Sequence, residues 1–320
     1  MWRALAEARA TGWAPDAVVL HDAEDLVHRQ ELAVFASLLE RHAVVQLPVV
    51  PLVVRGARLV SGHYADEFAE HHAKSLLVRQ WLRAGVPLAG TGCAIALPLF
   101  DRIAATRGGE PFDRTSLTED YELGLMLAEL GARAVLARVP EREGGSVVAV
   151  RAYFPASLDE AVRQKARWMT GIALQGWDRT GWARSWNPLD HWMRLRDRRA
   201  PLAVLVLAAA YLALLSWGLA AALHAWDGSS PPAQGGIVSA LLAVNALLLG
   251  WRFVMRSAFT WHAYGWREGL WAVPRMLVGN IISLLAARRA MGRYLASLAG
   301  AAPRWDKTRH AFPDAEGEPA

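Results

Sequence analysis

The sequence predicts an α/β domain with a mixed sheet and flanking helices, followed by a membrane domain. Residues 1–200 mix apolar, polar and charged residues, and they alternate short apolar runs with amphipathic stretches. Residues 201–300 are dominated by Leu, Ala, Val, Trp and Gly, so the apolar fraction of 53% averages two regions suited to different solvents. We therefore divide the chain into a soluble domain at 1–200, a membrane domain at 201–300 and a cytosolic tail at 301–320.

The elements of the first domain follow from apolar periodicity and from turn residues. Apolar runs predict buried strands at 17–20, 43–54 (interrupted by Pro48 and Pro51), 87–98, 133–139 and 147–153. Amphipathic stretches predict helices at 2–10, 31–41, 66–84, 116–130 and 157–174. The last two helices open on capping-box patterns, Ser116 to Glu119 and Ser157 to Glu160. Strands that alternate with helices in this way favour a parallel or mixed sheet.

The membrane domain contains two clear apolar segments and one ambiguous segment. Residues 201–223 carry no charge and are long enough to cross ~30 Å of hydrocarbon, and 236–251 form a second, shorter segment. Arginines flank the outer ends of this pair and are absent from the loop at 224–235, which predicts a periplasmic loop and a cytosolic first domain. Residues 269–298 contain several arginines, and a charge at mid-membrane costs ~2.5–3.5 kcal/mol. We expect an interfacial helix there in preference to a third span.

Charge and cysteine content narrow the classes of partner. The net charge of +5 comes mainly from arginines, many of which flank the apolar segments. Zinc-finger spacing, a basic run and an aromatic-basic stripe are all missing from the sequence, so we expect a lipid bilayer and no nucleic acid as partner. The single cysteine, Cys93, cannot form an internal disulfide, which agrees with a reducing cytosol. No signal peptide opens the chain, so we expect the first 200 residues to stay in the cytoplasm.

The first chemical motif is an acidic turn, Asp22-Ala23-Glu24-Asp25, directly after the apolar run at 17–20. Acidic residues at the carboxyl end of a parallel strand lie where α/β sheets usually bind ligands. Two or three carboxylates in one turn can bind a hard divalent cation, which would offset the charge of a sugar diphosphate. Asp22, Glu24 and Asp25 are therefore candidate ligands for Mg²⁺ or Mn²⁺. The alternative interpretation is an acid-rich helix N-terminus.

The second motif is Thr118-Glu119-Asp120, at the start of a predicted helix. The positive end of a helix favours an ionised carboxylate in its first turn. An ionised Asp120 can accept the proton of an acceptor hydroxyl while a glycosidic bond forms. The alternative is ordinary capping with first-turn acids.

The third motif is Gln164-Lys165-Ala166-Arg167-Trp168, on a predicted helix. Spacings of three and four residues place Gln164, Arg167 and Trp168 on one helix face. The planar fork of Arg167 suits a diphosphate, and Trp168 offers a flat apolar surface to a sugar ring. The alternative is a polar helix face with one core tryptophan.

The order of the three motifs, followed by membrane helices, resembles the processive family 2 glycosyltransferases, which include cellulose, chitin and hyaluronan synthases. The resemblance covers about residues 15–200, continues into the membrane half, and implies a GT-A-like (Rossmann-like) fold. The C-terminal side is similar to the phage adsorption protein B family of inner-membrane glycosyltransferases. That similarity rests on Tyr264-Gly265-Trp266-Arg267, Pro274-Arg275, Asn280, Arg289-Ala290, Trp305-Asp306-Lys307-Thr308, His310 and Phe312-Pro313.

The resemblance implies an inverting, metal-dependent transfer from a nucleotide-diphosphate sugar, expected to be a UDP-sugar, to a growing exopolysaccharide. It implies a bacterial inner-membrane protein with several spans and an outer-membrane export partner. Asp22 and Glu24 match the Asp-x-Asp motif, with Asp25 adjacent, although Glu24 departs from the commoner Asp. Asp120 matches the catalytic base. The positions expected to bind donor or acceptor are Gly90, Thr91, Gly92, Glu119, Gln164, Arg167 and Trp168.

The chain departs from the family pattern at its start, because few residues precede Asp22. The family's first strands, which hold the nucleotide base, normally come earlier. We therefore expect an N-terminally truncated catalytic domain that binds nucleotide poorly or is inactive. Two alternatives stay open: a non-catalytic membrane scaffold or phage-adsorption component, and a single-transfer, lipid-linked glycosyltransferase. The Gln-x-x-Arg-Trp motif, typical of polymerising members, argues against the latter.

Overall fold

The computed structural model describes residues 2–113, 115–183, 186–230 and 235–301. Most of the predicted tail, with the motif residues between 305 and 313, lies outside this range. The described strands are β1 (Ala17–Leu20), β2 (Asp25–Leu26), β3 (Val44–Gln46), β4 (Val49–Leu52), β5 (Cys93–Ala96), β6 (Ala134–Leu136) and β7 (Val150–Tyr153). The described α-helices are α1 (Trp2–Ala10), α2 (Glu31–Leu39), α3 (Arg58–Glu70), α4 (Leu76–Trp81), α5 (Leu97–Thr106), α6 (Glu119–Glu129), α7 (Leu158–Met169), α8 (Gln175–Thr180), α9 (Pro188–Arg198), α10 (Ala200–Asp227), α11 (Gly236–Tyr264) and α12 (Trp266–Leu298).

The strands form two mixed sheets, in the orders β1-β5-β3-β6 and β2-β7-β4. β5 is antiparallel to β1 and β3, whereas β3 pairs parallel with β6 and β4 pairs parallel with β7. The predicted mixed α/β fold is thus confirmed. One detail differs: β1 pairs antiparallel with β5, so the acidic turn does not follow a strand of a parallel pair.

The core lies on both faces of the first sheet, because successive side chains of a strand point in opposite directions. Val44 and Ile95 pack in a cluster with residues of α5 and α6. Their neighbours Val45 and Ala94 pack on the other face, in a cluster with Phe35 of α2. These buried, unbroken apolar strands fix the sheet edge from which the acidic turn projects.

Several local predictions need correction. The strand predicted at 87–98 is only Cys93–Ala96, and the chain turns directly into α5, whose first turn holds a proline. Ser116 does not cap α6, because Thr118 is the N-cap residue and the Ser116 hydroxyl donates to Glu122 Oε1 at 2.7 Å. Ser157, in contrast, caps α7 as predicted by accepting from the Glu160 amide.

Two long helical segments each contain a π turn. Residues 71–75 connect α3 to α4, and residues 170–174 connect α7 to α8, without a break in either helical segment. The helix predicted at 66–84 therefore begins earlier and ends earlier, at residues 58 and 81, and the helix predicted at 157–174 continues to Thr180. Such π turns are rare and recur at functional sites.

Three C-terminal helices, α10, α11 and α12, are long and apolar enough to cross a membrane. The first two extend the predicted spans at 201–223 and 236–251, and their large apolar side chains are mostly exposed, as lipid-facing residues are. The third includes 269–298 and differs, because Ile282, Ala286 and Ala290 pack against residues of α3 and α7. The protein is therefore a membrane protein in which α12 also packs against the first domain.

Candidate active site

The three sequence motifs line one cavity of about 390 Å³. The acidic turn, the residues around Asp120 and one face of α7 form its walls, and aromatic residues from α3 and β7 complete it. The predicted site residues along this cavity are Asp22, Glu24, Asp25, Gly90, Thr91, Glu119, Asp120, Gln164, Arg167 and Trp168. The fold thus brings together segments that are up to 146 positions apart, from residue 22 to residue 168.

Gly92 is the one predicted site residue that does not line this cavity. Its carbonyl accepts from the Leu47 amide at 2.8 Å, and its φ of +58° favours glycine. A Cβ at this position would overlap the side chain of Val150 on β7. Gly92 therefore serves the packing of the two sheets against each other.

The Asp25 side chain is hydrogen-bonded to the acidic turn and to Thr91. Its Oδ2 accepts from the Asp22 amide at 2.7 Å and from the hydroxyl of Thr91, and its side chain is almost fully buried. His21 Nδ1 lies 3.3 Å from the same oxygen. Asp22 and Glu24 are left at the cavity wall, whereas Asp25 holds the turn in shape.

The carboxylates of the acidic turn are the groups that could hold a divalent cation at this cavity. In the described part of the chain, no group of three His, Cys, Asp or Glu side chains is placed to hold a metal ion. Mg²⁺ commonly uses one or two carboxylates together with substrate phosphates, so Asp22 and Glu24 suffice for such a site. Asp25 stays a predicted third ligand: its Oδ2 is hydrogen-bonded within the turn, whereas its Oδ1 has no hydrogen-bond partner among the described residues.

Asp120 lies in the first turn of α6, directly after the N-cap Thr118. Its Oδ1 accepts from the Tyr121 amide at 2.8 Å. Its Oδ2 lies against Gly90, where a Cβ would come within 2.8 Å, and Gly90 has a φ of +79°. Glycine at position 90 therefore leaves the room in which this carboxylate sits.

The pKa of Asp120 is raised from its usual 3.8 to about 7. Burial is the main cause and the neighbouring Glu119 adds to it, whereas the Tyr121 amide and Arg167 favour the ionised form. A carboxylate with a pKa near neutrality is suited to accept a proton at physiological pH. This electrostatic environment is what a general base requires.

One face of α7 forms the opposite wall. Gln164 is buried, and its Oε1 has no hydrogen-bond partner among the described residues. Arg167 Nη1 donates to the Leu117 carbonyl at 3.4 Å, which places the guanidinium beside the segment leading to Asp120. Trp168 contacts the rings of Tyr64 and Phe154 edge-on, at centroid distances of 6.0 and 6.3 Å. The predicted helix face is therefore assembled as the spacing implied.

The sequence did not reveal the neighbours that position Trp168. Lys165 forms an ion pair with Glu67 of α3, and its Nζ lies 5.2 and 5.4 Å from the ring centres of Tyr64 and Trp168. Although desolvation opposes it, Lys165 holds the pKa of Glu67 well below its usual range. Phe68 and Phe154 carry no motif at all, so only the tertiary structure identifies them.

A second cavity of about 470 Å³ begins on the other side of Asp120 and Trp168. Both residues line both cavities, together with Phe68, Ala89 and Thr118. Its further walls include the π turn at 71–75, Arg196 of α9 and Arg256 of α11, and several of the lining side chains are charged. Asp120 therefore stands between two spaces, one beside the acidic turn and one beside the membrane helices.

A cavity lined by the three motifs, in a mixed α/β domain followed by apolar helices, agrees with the resemblance to the family 2 glycosyltransferases. The sequence profile of the family described as "Glycosyl transferase family group 2" matches residues 17–255. The chain belongs to this family.

Two relatives extend the comparison over nearly the whole chain. The chain is 34% identical over 330 aligned residues to "Bacteriophage adsorption protein B" of Escherichia coli (strain K12). It has the same identity to "Bacteriophage N4 adsorption protein B" of Escherichia coli O157:H7. Each alignment covers 97% of this chain and 44% of the relative, so the chain spans less than half the length of these curated relatives.

Proposed function

We propose that the protein transfers a sugar from a nucleotide-diphosphate sugar, most simply a UDP-sugar, to a growing polysaccharide with inversion at the anomeric carbon. The observation that carries this proposal is that the three motifs line a single cavity and that Asp120 also lines the neighbouring cavity. The second cavity, on the far side of Asp120, is suited to the acceptor glycan. Donor and acceptor would then meet at one carboxylate.

The donor is held by groups from both sides of the first cavity. Arg167 matches a diphosphate in geometry and charge, and the spare Oε1 of Gln164 can accept from a sugar hydroxyl. Trp168, fixed by its aromatic neighbours, presents a flat surface to the acceptor sugar. Glu119 and Thr91 line the same cavity and are further candidates for hydroxyl contacts.

Asp22 and Glu24 would hold Mg²⁺ or Mn²⁺ together with the diphosphate oxygens. When bound, such a cation offsets the negative charge of the diphosphate. The chain's own part is to place these two carboxylates at the cavity wall, and Asp25 and Thr91 keep that turn closed.

Asp120 supplies the proton acceptor. The acceptor hydroxyl loses its proton to the Asp120 carboxylate while its oxygen bonds to the anomeric carbon. The bond from that carbon to the diphosphate oxygen breaks, and nucleoside diphosphate leaves from the opposite face. Attack and departure on opposite faces invert the anomeric configuration.

The proposal places the protein in the bacterial inner membrane with its catalytic domain in the cytosol. Arginines flank α10 and α11 at their domain-facing ends, as the positive-inside rule requires. α12 packs along α3 and α7, which favours a position at the membrane interface. The names of the two relatives refer to phage adsorption, and an exopolysaccharide at the cell surface with an outer-membrane export partner is part of the same proposal.

The test is turnover by the full chain in nanodiscs with Mg²⁺ or Mn²⁺ and a panel of UDP-sugars, read by mass spectrometry of the product. Asp120→Asn should lower turnover by roughly 10²- to 10⁴-fold, the usual contribution of a general base, and should leave nucleotide binding intact. Turnover that persists in this variant would remove Asp120 from its role.

The same product analysis separates the alternatives. A ladder of increasing chain length indicates polymerisation, whereas a single added sugar indicates a lipid-linked transferase. Absence of turnover and of UDP binding in the intact chain would favour the membrane scaffold.

A further inference from the structure

Two polar side chains support the acidic turn from outside the set of residues that line the first cavity. They are His21, which directly follows β1, and Glu31, the first residue of α2. The Glu31 side chain is fully buried, whereas 22% of the His21 side chain is exposed. Burying a carboxylate is costly unless another group pairs with it, so the contacts of Glu31 need a physical reason.

The His21 ring joins Glu31 to the acidic turn. Its Nε2 is hydrogen-bonded to Glu31 Oε1, and its Nδ1 lies 3.3 Å from Asp25 Oδ2. Each ring nitrogen therefore faces a carboxylate oxygen, which leaves the ring no nitrogen with which to bind a metal ion. Hydrogen bonds one layer behind the ligands of a metal site orient those ligands.

Asp25 connects the ring to the backbone of Asp22. The Oδ2 atom that faces His21 also accepts from the Asp22 amide at 2.7 Å and from the Thr91 hydroxyl. At the other end of this path, Glu31 belongs to α2, which is anchored in the core of the first sheet through Phe35. A continuous set of contacts therefore runs from a core helix to a predicted cation ligand.

The acidic turn needs such support because it joins two sheets. β1 belongs to the four-stranded sheet, whereas Asp25 begins β2 of the three-stranded sheet. The Asp25 amide donates to the Asp22 carbonyl at 3.2 Å, which is a long hydrogen bond for a turn that must keep its shape. A preorganised site holds its groups to within about 0.5 Å, so side-chain contacts must supply the rest.

We propose that Glu31 and His21 are positioning residues of the cation site. Glu31 fixes the His21 ring, and the ring fixes the Asp25 carboxylate. That carboxylate holds the backbone of the turn, so that Asp22 and Glu24 lie at the cavity wall. The inference rests on the proposed function, because it assigns a role in binding the divalent cation that this function requires.

The role in cation binding is tested by Mn²⁺ binding to the full chain with UDP, in nanodiscs of zwitterionic lipid. Free Mn²⁺ has a sharp electron paramagnetic resonance spectrum that broadens on binding, so its intensity reports affinity without turnover. Glu31→Leu removes the group that holds the ring, and we expect Mn²⁺ to bind about 10- to 100-fold more weakly. Glu31→Gln keeps an acceptor of the same length and should recover most of this affinity.

Asp66→Leu is the matched control. Asp66 is also buried and paired with a cation, Arg275 of α12, but it does not line the first cavity. We expect the melting temperature to fall in Asp66→Leu and in Glu31→Leu, and the Mn²⁺ affinity to fall only in Glu31→Leu. An equal loss of affinity in the two variants would overturn the proposal, since general destabilisation would then explain it.

A double variant tests whether Glu31 acts through the ring. His21→Asn keeps a donor near Asp25 but cannot reach Glu31, and its partly exposed position should allow folding even if Glu31→Leu does not fold. We expect His21→Asn to weaken Mn²⁺ binding about tenfold and Glu31→Leu to add nothing in that background. Additive losses, or an unchanged affinity in His21→Asn, would overturn the proposal.

Turnover at varied Mg²⁺ concentration separates positioning from general damage. In Glu31→Leu the Mg²⁺ concentration for half-maximal turnover should rise as the Mn²⁺ affinity falls, while kcat at saturating Mg²⁺ stays unchanged. A fall in kcat that Mg²⁺ does not restore would contradict a role confined to the cation site.

Failure of the proposed function gives a different result. If the unsubstituted chain binds Mn²⁺ with UDP but shows no turnover, the proposed transfer fails and the binding measurements still decide the role of Glu31. If it binds no Mn²⁺ in the presence of UDP, the cation site and the role of Glu31 both fail.

Discussion

The seam between α3 and α12 and the candidate active site both bury charged side chains beside a glycine, but they differ in the hydrogen bonds of these buried groups. At the seam between α3 and α12, Arg275 is fully buried and each of its nitrogens is occupied. Nε donates to the Arg58 carbonyl at 3.0 Å, Nη1 to Asp66 Oδ1 at 3.1 Å, and Nη2 to Glu268. Gly62 makes the room, because a Cβ there would overlap the guanidinium.

The cavity lined by the three motifs, called the cleft below, contains buried polar atoms that are not hydrogen-bonded within the described residues. Among the described residues, Gln164 Oε1 and Thr118 Oγ1 have no hydrogen-bond partner, although both residues are buried. Asp120 faces Gly90 with a raised pKa and without an ion pair as short as those of Arg275. A buried polar group without a partner costs ~1–3 kcal/mol, so a fold retains it where a ligand completes it. The comparison teaches that Arg275 is fully paired at the seam, although Asp66 Oδ2 there has no hydrogen-bond partner among the described residues, whereas the unpartnered Gln164 Oε1 belongs to a residue that lines a cavity.

The largest effect on this comparison should come from Arg275→Met. Removing one partner of a buried ion pair costs ~3–5 kcal/mol, because Asp66 would be left buried without its cation. We expect a corresponding loss in the free energy of unfolding, measured by thermal denaturation in nanodiscs. Arg267→Met, at an exposed arginine of the same helix, is the control. Equal stability of the two variants would show that the seam does not attach α12.

A smaller and more local effect is expected from Gly90→Ala. The new Cβ would lie 2.8 Å from Asp120 Oδ2 and would displace the carboxylate. Since a misplacement of about 1 Å can cost 10²-fold, kcat should fall about 10- to 100-fold with little change in nucleotide affinity. Gly144→Ala is matched, because Gly144 also has a positive φ, of +70°, but nothing within 4 Å. Similar kcat losses in both variants would attribute the effect to backbone strain.

The sequence predicts the residues of the cleft far better than it predicts the contact between α3 and α12, for a physical reason. Asp120, Arg167 and Trp168 belong to short motifs whose residue types are required by chemistry, so local sequence suffices to find them. Arg275 and Asp66 meet only because α12 returns to α3, a contact between residues 209 positions apart that no local pattern encodes.

Secondary structure shows the same division. The apolar runs predicted most strands and the membrane helices α10 and α11, because burial and membrane length leave a strong periodic or compositional signal. α12, which was expected to be an interfacial helix, also has the length and composition of a span. α5 was missed because its apolar residues continue those of β5, and α9 was missed because its arginines were assigned to the membrane boundary.

The pH dependence of turnover should report the raised pKa of Asp120, which belongs to the cleft and not to the seam. Because the base must be ionised and its pKa is about 7, kcat should fall about tenfold per unit below that pH. Glu119→Gln removes a neighbour that raises this pKa, so its midpoint should move to lower pH. A midpoint that is unchanged in Glu119→Gln would assign the titration to another group.

The raised pKa of Asp120 also affects how the free energy of unfolding depends on pH. The folded pKa of Asp120 lies above its unfolded value, so between pH ~4 and ~7 the folded state binds more protons than the unfolded state. The contribution of Asp120 to stability is therefore present at low pH and decreases as the pH rises through this range. Asp120→Asn should remove this decrease, which a comparison of melting temperatures at pH 5 and pH 8 would measure.

The smallest effect is expected at the helix that both regions share. α7 packs against α12 on one face and presents Gln164, Arg167 and Trp168 to the cleft on another. Its N-cap, Ser157, lies outside both regions, and Ser157→Ala should lower stability by ~1 kcal/mol because the Glu160 amide loses its acceptor. Ser157→Asp keeps an acceptor and should restore most of this stability.

Because capping acts on the folding equilibrium of the helix and not on the geometry of its face, kcat and KM should be unchanged in both variants. A fall in kcat in Ser157→Ala alone would show that α7 couples the seam to the cleft, and the two regions would then have to be treated as one cooperative unit.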